Sequence, residues 1–79
     1  MRYHISVANL NYTTVSEHLS SAELGDYHTY GIRVTSGSET RTVHDISTRR
    51  ETVDRMAALF NRHRLRPVHL MEVIEDMLP

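Results

Sequence analysis

Six histidines in a chain of 79 residues raise the question of a metal. His63 and His69 bracket a short segment, and Glu72 follows His69 at the three-residue spacing that places two side chains on one helical face. An imidazole and a carboxylate so placed can share a cation. No His-x-x-x-His or other recognised ligand spacing occurs, and surface histidines plus one that packs or caps make the simpler reading. Neither metal nor cofactor is expected. As an acid-base pair, His69 near a helix N-terminus favours its neutral form, with Asp45 as a counterpart across the fold. No nucleophile or oxyanion hole accompanies them, so the expected roles are structural. Asp45 would bond backbone amides in a strand-to-helix turn, and His69 would hydrogen-bond within a helical hairpin. Tyr30-Gly31 marks a place where a ligand can approach a strand closely, although the commoner reason for such a glycine is to admit the bulk of a helix residue.

All nine basic residues are arginine, a side chain whose planar fork suits carboxylate and phosphate. Arg49, Arg50 and Arg55 gather at the start of a predicted helix, and Arg62, Arg64 and Arg66 at its end. A basic helix can track phosphates, which makes Arg-mediated nucleic-acid binding the alternative function. Residues 41 to 66 carry a net +4 and residues 67 to 79 a net -3, within an overall charge of -1. A helix-turn-helix reading fails there, because Glu72, Glu75 and Asp76 stand where phosphate contacts are needed. The candidate binding residues are therefore Tyr30, Asp45, Arg50, His69 and Glu72.

The elements that must position these residues are strands first and helices last. Tyr3, Ile5 and Val7 alternate with polar neighbours, predicting a strand. Tyr30, Ile32 and Val34 do the same; a turn at Ser36-Gly37-Ser38 and a return through Thr40 to Ile46 complete an antiparallel hairpin. Val43 and Ile46 are three apart and cannot share a face, so a bulge near His44 is expected, with Ile46 turning inward. Residues 9 to 26 admit two readings. Thr14-x-x-Glu17 can cap a short helix, but Thr13, Val15, Glu17 and Leu19 also alternate, and a strand is favoured. Thr48 and Glu51 have capping-box spacing, with Ser47 as a competing cap. Val53, Met56, Ala57 and Phe60 then form an apolar helical stripe. Pro67 suits the first turn of a second helix, expected to bury Leu70, Met71, Ile74, Met77 and Leu78.

Taken in order, Tyr30-Gly31-Ile32, Asp45-Ile46-Ser47-Thr48, Asn61, Leu65-Arg66-Pro67-Val68-His69-Leu70 and Glu72-Val73-Ile74-Glu75-Asp76 resemble a bacterial family catalogued as domain of unknown function 6514. The resemblance favours an extended segment over residues 9 to 26 and points to a fold without indicating an activity. A serine tends to precede the proline in that family, whereas this chain has Arg66, which removes a helix cap.

The expected fold is α+β: an antiparallel sheet of three or four strands in residues 1–47, then two C-terminal helices in 48–79 packed on one face, all in a single domain. A chain this short buries only about 60–65% of its unfolded surface, so a deep private active site is not expected. With no cysteine there are no disulfides or thiolates. No apolar run is long enough to span a bilayer, and the N-terminus lacks the apolar block of a signal peptide. The expectation is a non-enzymatic interaction or regulatory module of the bacterial cytoplasm, binding protein partners that include itself as a dimer, with no membrane.

Overall fold

The computed structural model describes residues 10–78. Its elements are β1 (Asn11–Ser21), β2 (Gly25–Ser36), β3 (Glu39–Ser47), α1 (Arg50–His63), a short 3-10 turn (Pro67–His69) and α2 (Leu70–Met77). The strands make one antiparallel sheet in the order β1-β2-β3, followed by two C-terminal helices, which is the expected α+β arrangement. The strand predicted at Tyr3, Ile5 and Val7 lies outside the described residues. Between residues 9 and 26 the alternation of Thr13, Val15, Glu17 and Leu19 outweighs the helical cap signal, and residues 11 to 21 are extended.

Glycine sets both hairpins. Gly25, at φ 69°, closes a three-residue loop that joins Ser21 to its cross-strand partner. Gly37, at φ 62°, occupies the first position of a two-residue turn, where the type II′ hairpin turn asks for glycine.

Cross-strand pairs share a face, so the partners Tyr12↔Val34 and Thr14↔Ile32 turn these four side chains together toward α1. Tyr12, Ile32 and Val34 are buried there against Val53, Met56, Ala57 and Phe60 of α1 and Leu70 and Ile74 of α2. Tyr12 and Phe60 meet edge to face with ring centroids 5.5 Å apart. Each large apolar side chain so buried contributes roughly 1.5–3 kcal/mol. Ile46 packs against this core from its rim, as the three-residue offset from Val43 requires.

Two expectations about the helices are corrected. The Thr48–Glu51 capping box is not formed: Arg49 occupies the N-cap position and contributes no side-chain cap. The helix starts one residue later than the box needs, and Ser47 Oγ accepts from the Arg49 amide at 3.0 Å in the turn before it, so Ser47 does not cap the helix either. Thr48→Ala is accordingly expected to change stability by less than about 0.5 kcal/mol, and Ser47→Ala to lower it by about 0.5–1 kcal/mol through the loss of its turn hydrogen bond, in paired urea titrations. In the second helix, Met71 and Met77 are 48% and 42% exposed. The apolar face is set by Leu70 and Ile74 with Val73 and Leu78 at its margins. Met71 is turned about 100° from Leu70 around the helix and so falls outside that face.

Candidate functional site

Helix α1 runs antiparallel to β1, and three polar contacts fix it there. Asn61 near its C-terminal end meets the backbone of Tyr12, Asp54 accepts from the Thr14 hydroxyl at 2.6 Å, and the Arg50 guanidinium lies 6.0 Å from the centre of the Tyr30 ring. Arg50 is also paired with Asp54, at 3.6 Å. Tyr30 and Arg50, both candidate binding residues, are thus brought together, as a structural clamp at the start of α1.

Asp45 belongs to a different cluster, on the sheet face away from the helices. The β2–β3 register jumps from Ile32↔Val43 to Tyr30↔Ser47, so residues 44 to 46 of β3 face Gly31 alone. Asp45 takes φ 53° at the crest of this bulge, a conformation that Asp tolerates better than most residues. Its carboxylate accepts from the hydroxyls of Thr29 at 2.8 Å and Tyr27 at 3.1 Å, and its amide donates to Glu17 Oε1 at 3.1 Å. His44 Nδ1 is paired with Glu17 Oε2. That hydrogen bond lowers the Glu17 carboxyl below its ordinary value, more strongly than burial raises it, and the Asp45 amide adds to the lowering. Burial and then the Asp45 carboxylate raise the Tyr27 phenol. Thr29 is fully buried beneath the bulge.

The expected role of Asp45 is corrected in one respect: its carboxylate serves two hydroxyls, and the amide involved is its own. The expectation for Gly31 is corrected too. A Cβ there would meet the Val43 carbonyl oxygen at 2.2 Å, so the glycine admits the backbone of β3, neither a ligand nor a helix side chain. His69 stands at the N-cap of α2 with its Nδ1 3.5 Å from Glu72 Oε1, which joins the last two candidate residues. Among the described residues no group of three His, Asp or Glu side chains could hold a metal ion.

Among the described residues, the outer edge of β1 carries a row of backbone groups without partners. Asn61 Nδ2 donates to the Tyr12 carbonyl at 2.8 Å, and Asn61 Oδ1 accepts from the Tyr12 amide at 2.7 Å. A side-chain amide here does what a neighbouring strand would do. Both backbone groups of Tyr12 therefore point away from β2. In an antiparallel strand alternate residues point their backbone groups to opposite edges, so those of Thr14, Ser16, His18 and Ser20 point outward as well. Among the described residues no hydrogen bond reaches these four pairs of backbone groups. The strand is regular, with an unbroken register from Asn11↔Thr35 to Ser21↔Gly25. It contains none of the Lys, Arg, Pro or bulges that usually guard an edge, and Glu17 is its sole charge.

A second surface lies on the helices, where Thr52, Arg55, Met56, Leu59 and Met77 line a shallow groove of about 270 Å³. No helix of the described residues is long and apolar enough to cross a membrane.

Sequence reasoning did not find the Asn61 clamp, the Glu17–His44 pair or the roles of Tyr27 and Thr29. Only the alternation that puts Glu17 on the face opposite Tyr12 hinted at the second. The comparisons with curated proteins and with solved structures return no match. The profile described as "Family of unknown function (DUF6514)" matches residues 3–79, nearly the whole chain, and the protein is a member of that family.

Proposed function

We propose that this chain is a non-enzymatic protein-interaction module of the bacterial cytoplasm, and that it binds by adding a strand to the open edge of β1, with a second copy of itself as the first partner. The observation that carries this reading is the row of outward-facing backbone groups at Thr14, Ser16, His18 and Ser20 on a strand without edge guards. Unpaired edges of this kind are templates for strand addition, in which main-chain hydrogen bonds supply affinity. Two-fold symmetric dimers are the commonest closed oligomers, and two antiparallel edges can pair in that symmetry. The clamp at Tyr12 supports the reading, since it closes one end of the edge and, among the described residues, leaves the rest open. The nucleic-acid alternative has less support, because Arg50 is held between Asp54 and the Tyr30 ring.

Sedimentation equilibrium over a range of concentrations tests the proposal. The wild-type chain is expected to approach twice the monomer mass as concentration rises. Ser16→Pro removes one outward N–H without touching the β1–β2 ladder, a position where an edge strand tolerates proline, and is expected to remain monomeric. A single species at monomer mass well above micromolar concentration contradicts the proposal, as does a Ser16→Pro variant that dimerises as well as the wild type.

A further inference from the structure

We infer that two copies of this chain pair through β1 about a two-fold axis at Glu17, so that Thr14 of each copy meets Ser20 of the other and Ser16 meets His18. This pairing rests on the strand-addition reading above and fixes its register. In a symmetric antiparallel pair the numbers of facing residues have a constant sum, and outward backbone groups must meet outward ones, so the axis passes through a residue. With Glu17 on the axis all four outward residues of each copy are engaged, in up to about eight main-chain hydrogen bonds.

The Asn61 clamp excludes one neighbouring register and the end of the strand disfavours the other. An axis at Ser16 sets Ser20 against Tyr12, whose amide and carbonyl are already held by Asn61. An axis at His18 sets Thr14 against Ala22, beyond the end of β1 at Ser21. With the axis at Glu17, Thr13 faces Ser21 and the next residue is Tyr12, so pairing stops where the clamp begins.

Side chains on the sheet face away from the helices select the same register. Val15 and Leu19 are half-buried there, and Val15 of each copy stands directly opposite Leu19 of the other, an apolar cross-strand pair on either side of the axis. The neighbouring registers set Val15 against Glu17 or Ser21 instead. The cost falls on the axis, where Glu17 faces Glu17 and like charges directly opposite destabilise a pair. Glu17 is drawn away from that position: its side chain reaches across Thr29 of β2 to β3, Oε1 accepting from the Asp45 amide at 3.1 Å and Oε2 paired with His44 Nδ1. The bulge of β3 thus turns the sole charge of β1 away from the edge at which the two copies meet.

Cysteine cross-linking locates the axis, in a chain that has no cysteine of its own. Facing residues of a non-hydrogen-bonded pair have Cα atoms about 4.5 Å apart, within the span of a disulfide. With oxidised glutathione as the oxidant, Glu17→Cys should pass from monomer to covalent dimer. Ser16→Cys and His18→Cys, each displaced from its own copy by about 7 Å along the strands, should stay largely monomeric. A mixture of Val15→Cys with Leu19→Cys, which keeps Glu17 in place, should cross-link, whereas either variant alone holds its cysteines roughly 13 Å apart and should not. Sedimentation equilibrium of the unaltered chain separates the two failures. A monomer at every concentration overturns strand addition and this register with it. A dimer that cross-links best at Ser16 or His18, or at none of these positions, leaves self-association standing and overturns the axis at Glu17.

Discussion

Gly31→Ala is expected to destabilise the protein by about 3 kcal/mol or more, as a lowered urea midpoint at unchanged slope. The added methyl would lie 2.2 Å from the Val43 carbonyl oxygen and 3.2 Å from the His44 Cα, and both are backbone atoms that cannot rotate aside. Relief requires the bulge of β3 to lift from the sheet. Asp45 would then withdraw from Thr29 and Tyr27, and the buried Thr29 hydroxyl would lose its carboxylate partner. The hydroxyl would keep the Ser47 carbonyl, 3.1 Å away, as its acceptor, so exchanging the carboxylate for it adds roughly 0.5–1.5 kcal/mol to the loss. A variant as stable as the wild type would show that β3 does not pass over Gly31 in this way.

Asn61→Ala is expected to lower stability by about 2–3 kcal/mol, the combined effect of two lost hydrogen bonds and of a part-buried amide and carbonyl left at Tyr12. Tyr12 is central to the fold: its ring packs on Phe60, and its hydroxyl donates to the Leu65 carbonyl where the chain leaves α1. Loosening its backbone therefore disturbs the sheet edge, the core and the turn between the helices together. Asn61→Asp should not restore the loss. It keeps an acceptor for the Tyr12 amide but sets a carboxylate against the Tyr12 carbonyl. Thermal unfolding of the two variants beside the wild type gives the comparison, and an Asn61→Ala protein that melts with the wild type contradicts the clamp.

Local signals made much of the fold legible. The alternation of Tyr30, Ile32 and Val34, the glycine turn at Gly37 and the stripe Val53, Met56, Ala57 and Phe60 each report a periodicity that burial on one face imposes. The offset between Val43 and Ile46 correctly located the bulge, because a period of two cannot survive a spacing of three. The capping box failed because Arg49 remains extended, so the helix begins at Arg50, one residue beyond the start that the spacing of Thr48 and Glu51 requires. Site residues were harder to read. His69 with Glu72 is a contact within one helical turn, whereas Tyr30 with Arg50 joins β2 to α1, and Glu17 with His44 and Asn61 with Tyr12 span 27 and 49 residues. Pairs so distant exist only once the sheet has set its register.

Amide hydrogen exchange, residue by residue and at two protein concentrations, tests strand pairing at the β1 edge most directly. The amides of Val15 and Glu17 face β2 and should be protected at both concentrations. Those of Thr14, Ser16, His18 and Ser20 face outward, and each should exchange freely in dilute solution and become protected as concentration rises. If these four stay unprotected at every concentration while Val15 and Glu17 remain slow, the edge is open but unused, and the proposed mode of binding is wrong.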